Sequence, residues 1–341
     1  MSLVMQSSQP GSNSERLLQV KDLKVYFSVE TGFFAKLFSK ASTYVRAVDN
    51  VSFGVDKGEI FSLAGESGCG KTTLGMSIMR LVEVTSGKIY FNGTDVLSLN
   101  RKNLKKFRRD AQMIFQDPYE ALPPHLTVFD IIGESIDVHK LASTYDEKMD
   151  LVYKVLEDVR LIPAERFIDA YSHQLSGGQR QRVAIASALV LKPKLIVADE
   201  PVSMLDVSVR SEILNLMLEL REQFKLTYLF ITHDLAVARY LSDRIAIMYL
   251  GKIVEMGRTK GIIETPLHPY TKALMSVVPV PDPFIDREKR IILSGEVPSA
   301  TNIPSGCRFH TRCPLAKENC RKMEPEMVEA EPGHYVACWC I

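Results

Sequence analysis

One short segment constrains the fold of this chain more than any other. Residues 65–72 read Gly-Glu-Ser-Gly-Cys-Gly-Lys-Thr and match the pattern G-x-x-x-x-G-K-[ST]. An apolar, β-rich stretch over residues 59–64 leads directly into this segment, and helical spacing follows over residues 71–81. The pattern therefore lies between a strand and a helix, which is the setting it needs in order to bind phosphate.

The chemistry of this loop follows from its residue types. Glycines let backbone N–H groups curl around phosphate oxygens, and the helix N-terminus adds partial positive charge. Lys71 is expected to reach the β and γ phosphates of a nucleotide, and the Thr72 hydroxyl to ligate Mg²⁺. A chance glycine turn is the alternative, and the flanking strand and helix argue against it. The predicted nucleotide contacts are Gly65, Glu66, Ser67, Gly68, Cys69, Gly70, Lys71, Thr72 and Thr73.

A second apolar strand, over residues 195–198, ends in the carboxylates of Asp199 and Glu200. An Asp at a strand end can hold Mg²⁺ through water, and the Glu after it can orient or deprotonate an attacking water. Acids after an apolar strand are common, so this pattern alone would favour no function. Beside a phosphate-binding loop it predicts nucleotide hydrolysis.

Short apolar strands alternate with amphipathic helices along most of the chain, which predicts a mostly parallel α/β sheet. Pro279, Pro281 and Pro283 form a stiff linker, and a tail rich in Cys, Pro and Glu follows it. The expected elements are strands over residues 20–29, 48–55, 59–64, 195–198 and 228–232, helices over 71–81, 146–161 and 207–224, and hairpins over 88–97 and 245–256.

Composition excludes several classes of protein. Lys and Arg number 42 against 41 Asp and Glu, so the net charge of +1 gives no support for nucleic-acid binding. The first 16 residues lack the pattern of a signal peptide and are expected to form a disordered arm. No uncharged apolar run is long enough to span a membrane. We therefore expect a protein of the cytoplasm or of the cytoplasmic face of a membrane.

A pentapeptide that precedes the apolar strand over residues 195–198 indicates the protein family. Residues 175–179 read Leu-Ser-Gly-Gly-Gln, and residue 179 lies 20 positions before Asp199. The glycines and the helix that follows would form a second anion site. In this position the pentapeptide resembles the signature motif of ABC-type ATPases. The resemblance implies that Ser176, Gly177, Gly178 and Gln179 contact a nucleotide bound to a facing subunit.

Other motifs of that family follow in order. Gln116 resembles the Q-loop residue that senses the γ-phosphate and Mg²⁺ and contacts the membrane subunits. Residues 203–206 resemble the D-loop, with Asp206 at the nucleotide, and His233 resembles the switch histidine at the γ-phosphate. Glu200, Gln116 and His233 are thus the implied catalytic residues. Residues 121–125 read Ala-Leu-Pro-Pro-His and differ from the sequence that the family usually has after the Q-loop, where the permeases dock.

An aromatic residue in the first strand region is expected to stack on adenine. Phe27 occupies the family position, and the insert over residues 31–44 leaves Tyr26 and Tyr44 as alternatives. Aromatic residues in strands usually pack in the core, so core packing is the other interpretation of Phe27.

The resemblance implies an architecture and partners. We expect a P-loop ATPase of the ABC type over residues 17–278, with a mixed sheet, an antiparallel β subdomain and a helical subdomain over about residues 117–172. The tail, residues 279–341, would be a small Cys-rich extension. In the family two ATPase subunits face each other head to tail, and ATP binding closes the pair. Two membrane permeases and an extracytoplasmic binding protein complete the implied complex.

The tail carries Cys307, Cys313, Cys320 and Cys338 in the spacing C-x5-C-x6-C-x17-C, with Cys340 as a surplus thiol. Four thiolates in a cytoplasmic chain suit either Zn²⁺ or an iron–sulfur cluster, and the lack of a short C-x2-C knuckle favours the cluster over zinc. Cysteines that hold no metal are the remaining alternative. With residues 265–271, this segment resembles the C-terminal region of oligopeptide and dipeptide importer ATPases. Members of that subfamily can carry four tail cysteines around a [4Fe–4S] cluster.

Within the subfamily two paralogous ATPases pair, and residues 32–34, 45–49 and 198–203 resemble the F-type partner more than the D-type. A heterodimer is therefore expected, with a homodimer as the alternative.

Peptides are the implied cargo, and oligosaccharides or nickel stay open. Two other classes of protein are alternatives: a nucleic-acid or ribosome ATPase, which the neutral charge disfavours, and an iron–sulfur assembly or redox-sensing ATPase in which the tail is the functional part.

Overall fold

Two sheets form the framework of the computed structural model, which describes residues 16–28, 44–278, 291, 293 and 295–341. Apolar, β-branched residues fill the central strands because both faces of those strands are covered. The strands are β1 (Arg16–Ser28), β2 (Tyr44–Asp56), β3 (Ile60–Ala64), β4 (Ser86–Phe91), β5 (Thr94–Asp95), β6 (Ala111–Ile114), β7 (Leu195–Asp199), β8 (Thr227–Thr232), β9 (Arg244–Tyr249), β10 (Lys252–Arg258), β11 (Val328–Glu331) and β12 (His334–Val336).

The helices connect these strands, and several begin at residues that satisfy their free N–H groups. Thr127 and Thr144 each form a capping box with an acidic residue three positions later. The α-helices are α1 (Lys71–Ile78), α2 (Arg101–Asp110), α3 (Pro118–Ala121), α4 (Val128–His139), α5 (Tyr145–Asp158), α6 (Gly177–Leu189), α7 (Val207–Phe224), α8 (Leu235–Leu241), α9 (Thr259–Glu264), α10 (Pro269–Val277) and α11 (Glu318–Lys322).

The larger sheet has the order β11-β12-β10-β9-β3-β8-β7-β6. Strands β6, β7, β8, β3 and β9 run parallel to their neighbours, whereas β10 turns back antiparallel beside β9. The carboxyl ends of the parallel strands therefore meet at one edge of the sheet, where ligands bind in such folds.

Two further units pack on this sheet. The antiparallel sheet β2-β1-β4-β5 lies against β3, and the rings of Phe53 and Phe61 stack with centroids 5.1 Å apart. On the other side α4, α5 and α6 share one apolar core, which includes Ile132, Val155 and Val183. The expected mixed sheet, antiparallel unit and helical unit are all present.

The tail contributes strands to the larger sheet. In β12, Tyr335 and Val336 pair antiparallel with Met256 and Glu255 of β10, and β11 pairs with β12. Sequence reasoning set the tail apart as a separate extension and missed this pairing. The predicted linker prolines, and all of the insert over residues 31–44 except Tyr44, lie outside the described residues.

Candidate nucleotide site

The glycine-rich loop follows β3 and passes very close to two other strands. A Cβ at Gly70 would lie 2.0 Å from the Ala47 carbonyl oxygen of β2, and Gly70 has a φ of 106°. A Cβ at Gly65 would lie 2.2 Å from the Met248 carbonyl oxygen of β9. Only glycine fits at these positions. The loop thus lies against β2 and β9, and α1 begins immediately after it at Lys71.

Lys71 is buried, and its ammonium lies inside the loop. Its Nζ donates hydrogen bonds to the carbonyl oxygens of Gly65 at 2.8 Å and Glu66 at 2.9 Å. Burial raises the pKa of the neighbouring Cys69 thiol, and the charge of Lys71 only partly offsets this effect. Ser67 and Gly68 are exposed at the tip of the loop.

Thr72 and Asp199 meet where α1 begins and β7 ends. The Thr72 hydroxyl donates to Oδ1 of Asp199 at 3.1 Å. Burial raises the pKa of Asp199, and the hydrogen bond from Thr72 opposes that shift. A hydroxyl and a carboxylate are the hard oxygen ligands that Mg²⁺ prefers, so this pair fits the expected metal. Gln116, the third predicted ligand, contacts Glu200 instead.

Two of the predicted catalytic side chains converge on a carboxylate oxygen of the third. Gln116 Nε2 donates to Oε2 of Glu200 at 3.0 Å, and Nδ1 of His233 lies 2.9 Å from the same oxygen. Gln116 follows β6, Glu200 follows β7 and His233 follows β8, so the parallel register brings them together. Glu200 has a φ of 45°, a strained conformation that is found at functional sites.

The signature residues form the N-terminus of α6. The Ser176 hydroxyl accepts from the N–H of Gln179 at 3.3 Å, and Gln179 Oε1 accepts from the N–H of Ser176 at 2.9 Å. A Cβ at Gly178 would lie 2.5 Å from Cγ1 of Val209, so α6 and α7 pack closely there. In the described part of the chain these hydrogen bonds stay within α6, and none reaches the glycine-rich loop.

Comparisons with known proteins agree with this geometry. A family model described as "ABC transporter" matches residues 48–203, and one described as "Oligopeptide/dipeptide transporter, C-terminal region" matches residues 254–320. The chain is 48% identical over 330 residues to the oligopeptide transport ATP-binding protein AppF of Bacillus subtilis (strain 168), and the match covers 96% of this chain and 98% of that relative. The chain belongs to the ABC transporter ATPase family.

Other relatives and solved structures support the assignment. A putative peptide import ATP-binding protein of Brucella ovis is 46% identical, over 89% of this chain and 95% of the relative. The ATP-binding cassette MJ0796, solved as a dimer in a post-hydrolysis state with ADP and Pi, aligns with a TM-score of 0.60 at 31% identity. That match covers 71% of this chain and 98% of MJ0796. The matched region is therefore an ABC ATPase fold.

The aromatic residues in and near β1 of this ABC ATPase differ in their solvent exposure and in their hydrogen bonding. Phe27 is 41% exposed and Tyr44 is 46% exposed, so Phe27 is not a core residue. Tyr26 donates its hydroxyl to Oδ1 of Asp49 at 2.5 Å, and burial raises the pKa of Tyr26 to about 12. Phe27 and Tyr44 thus remain the predicted partners of adenine, while Tyr26 holds Asp49.

The predicted D-loop, residues 203–206, lies between Glu200 and α7. The N–H and the hydroxyl of Ser203 both donate to the carbonyl oxygen of Glu200, at 3.1 and 3.0 Å. Asp206 is the N-cap residue of α7, where its side chain makes no capping hydrogen bond. In the described residues Asp206 is not brought to the glycine-rich loop of its own chain.

The tail cysteines are neighbours, but they do not form a ligand set. The N–H of Cys307 donates to the Cys320 carbonyl oxygen at 2.8 Å, and the N–H of Cys340 lies 3.3 Å from the sulfur of Cys338. Burial, reinforced by the nearby thiols of Cys313, Cys320 and Cys338, raises the pKa of Cys307 to about 11. Within the described ranges, no three Cys, His, Asp or Glu side chains are arranged to hold a metal ion.

Sequence reasoning missed two residues at the glycine-rich loop. The Tyr270 hydroxyl accepts from the N–H of Glu66 at 3.0 Å, and the Arg312 guanidinium pairs with the Glu66 carboxylate. Glu66 was predicted only as a nucleotide contact. Arg312 lies 246 positions from Glu66, and no local pattern indicates such a pair.

Among the described residues, no helix is both long and apolar enough to cross a bilayer.

Proposed function

We propose that this chain is the ATP-hydrolysing subunit of an ABC importer that powers the uptake of di- and oligopeptides through separate membrane permeases. One observation carries the ATPase part: Gln116, Glu200 and His233 converge beside the loop that holds Lys71. The peptide part is supported by relatives that are named as oligopeptide transport and peptide import proteins, and by the matched C-terminal region.

Each side chain of the site has its own task in hydrolysis. Lys71 is anchored by two loop carbonyls and offers its charge to the β and γ phosphate oxygens. Glu200 orients the attacking water and accepts its proton. Gln116 and His233 hold the Glu200 carboxylate and would contact the γ-phosphate of a bound nucleotide. A bound Mg²⁺ would neutralise phosphate charge, and Thr72 and Asp199 would hold it.

Glu200→Gln tests this mechanism, because the amide keeps the shape of the side chain and removes the base. We expect ATP turnover to fall by a factor of about 10² to 10⁴, with ATP binding retained. ATP should then hold the variant as a dimer on a sizing column. Glu222→Gln is the matched control, since Glu222 is an exposed surface residue of α7. Unchanged turnover in Glu200→Gln would contradict the assigned role.

The signature motif supports a facing subunit. Among the residues that the structure describes, the helix N-terminus formed by Ser176, Gly177, Gly178 and Gln179 makes no hydrogen bond with the glycine-rich loop of its own chain. We propose that these residues and Asp206 complete the nucleotide site of a second ATPase. A paralogous subunit is the favoured partner and a second copy of this chain is the alternative. Co-expression with the paralogue, followed by native mass measurement, distinguishes the two.

We place the complex at the cytoplasmic face of the membrane, where the chain would bind two permeases peripherally and receive cargo indirectly from an extracytoplasmic binding protein. No nucleic-acid partner is proposed. Uptake of labelled peptide, oligosaccharide and nickel by the reconstituted importer tests the cargo. Uptake of peptide alone is expected, and uptake of nickel or sugar without peptide would replace the proposed substrate.

We also propose a [4Fe–4S] cluster in the tail, held by Cys307, Cys313, Cys320 and Cys338, with Zn²⁺ as the alternative. The support is the chemistry of the donor set, because thiolates are the usual cluster ligands and four cysteines fall within one tail segment. Cluster binding would have to draw the four thiols together, since the described residues do not present them as a metal site. Anaerobic purification should give a brown protein that contains iron and sulfide. A colourless protein with stoichiometric zinc would contradict the cluster.

A further inference from the structure

The tail reaches the glycine-rich loop through a buried arginine. Nη1 of Arg312 donates to Oε2 of Glu66 at 2.8 Å, and Nη2 donates to Oε1 at 3.1 Å. The Arg312 side chain is 8% exposed and that of Glu66 is 27% exposed, so solvent screens this pair only in part. A two-pronged contact of this kind fixes orientation as well as distance. The position of the Glu66 carboxylate is therefore determined by the tail.

The backbone of Glu66 is held as well. Its N–H donates to the Tyr270 hydroxyl, and its carbonyl oxygen accepts from Nζ of Lys71 at 2.9 Å. The Tyr270 ring packs against Tyr249 and Phe309, with centroids 4.7 and 5.4 Å away. Because Phe309 precedes Arg312 by three residues, one tail segment supports Glu66 through both its side chain and its backbone.

A second tail arginine, Arg308, contacts two segments that neighbour the loop. Arg308 donates to the Asp49 carboxylate and to the Leu250 carbonyl oxygen. The N–H of the next residue, Gly251, donates to the Cys69 carbonyl oxygen at 2.9 Å. The segment from Arg308 to Arg312 therefore contacts the phosphate-binding loop directly at Glu66, and indirectly at Cys69 through the backbone of Leu250 and Gly251.

We propose that Arg312 is a positioning residue for ATP binding, acting through Glu66 on the phosphate-binding loop. This inference rests on the proposed function, because it requires ATP to bind at this loop. Without the guanidinium, the Glu66 carboxylate would stand uncompensated beside the nucleotide phosphates and would repel them. The tail thus sets the affinity of the site for nucleotide.

The experiment measures the dissociation constant of Mg-ATP by calorimetry on the full chain, in the Glu200→Gln background so that ATP persists. Arg312→Ala should raise the dissociation constant about tenfold, as expected when one partner of a charged pair is removed. Arg312→Lys should give an intermediate value, since an ammonium cannot make the two-pronged contact. Arg321→Ala, at an exposed arginine of the same tail, is the matched control and should match the parent.

A double variant separates the loss of charge compensation at Glu66 from a general loss of structure. Glu66→Gln with Arg312→Ala removes the unpaired charge, so its dissociation constant should return to within about threefold of the parent. If the double variant binds as weakly as Arg312→Ala, or if Arg312→Ala binds as tightly as the parent, the proposal is overturned. Should Arg312→Ala fail to fold in a melting experiment, Arg312→Lys against Arg321→Lys decides instead. A parent that binds no Mg-ATP would refute the proposed function itself.

Discussion

The ion pair between Arg308 and Asp49 makes a quantitative prediction about stability. Their side chains are 6% and 10% exposed, so Arg308→Met would leave a buried carboxylate without its cation. Removing one partner of a buried pair costs about 3–5 kcal/mol. Asp49 would keep the hydrogen bond from the Tyr26 hydroxyl at 2.5 Å, so we expect a loss near the lower end, about 3 kcal/mol.

The penalty should depend on pH. Burial raises the pKa of Asp49, but the Tyr26 hydroxyl and Arg308 lower it more, so the net pKa lies below the ordinary value of 3.8. A carboxyl group with a lowered pKa stabilises the fold above its unfolded pKa, and that stability is lost as the pH falls through the folded value. The cost of Arg308→Met should therefore be full at pH 7 and smaller as the pH falls below about 4.

The chain carries its own probe for this measurement. Trp339 is the only tryptophan, and its Nε1 donates to the Met323 carbonyl oxygen of the tail at 3.1 Å. Its fluorescence in urea follows the tail, while circular dichroism follows the sheets. Arg308→Met should shift the fluorescence transition first, and Arg321→Met should leave both unchanged. A loss below about 1 kcal/mol at pH 7, or an equal loss at pH 7 and at acid pH, would refute the reasoning.

Three further predictions concern single positions. Gly70→Ala should weaken Mg-ATP binding at least about tenfold in calorimetry, because its Cβ would meet the Ala47 carbonyl oxygen and its φ is left-handed. Thr72→Val should raise the Mg²⁺ concentration for half-maximal turnover about tenfold, since one hard oxygen ligand is lost; an unchanged Mg²⁺ titration would contradict this. Glu255→Ala should lower the free energy of unfolding in urea by about 3 kcal/mol, because the buried carboxylate accepts from three donors, including His334; a loss under about 1 kcal/mol would argue against it.

The parts predicted well are those that a few neighbouring residues determine. The strand, glycine-rich loop and helix around Lys71 follow from one continuous pattern, and so does the strand that ends in Asp199 and Glu200. The hairpin of β9 and β10 was expected from two apolar runs around Gly251. In each case the chain itself holds the partners close, so local chemistry is enough.

The parts that were missed depend on distant partners. Strand β12 has three residues, and its pairing with β10 joins positions about 80 apart, so no periodic pattern reveals it. Cys69 is buried, and this burial raises the pKa of its thiol, an effect that the local glycine-rich pattern does not reveal. The pairing of Arg312 with Glu66 likewise appears only when the fold closes.

The strand order of the larger sheet has a consequence for solubility. Because β12 covers β10, the sheet ends at β11, a four-residue strand that is exposed along its whole length and carries Glu329 and Glu331. Short, charged edge strands discourage other chains from adding to a sheet. A chain that stopped before residue 328 would instead expose the mostly buried β10 as a bare edge. We therefore expect the last residues of the tail, by forming a short charged edge strand, to protect the ATPase from edge-to-edge aggregation.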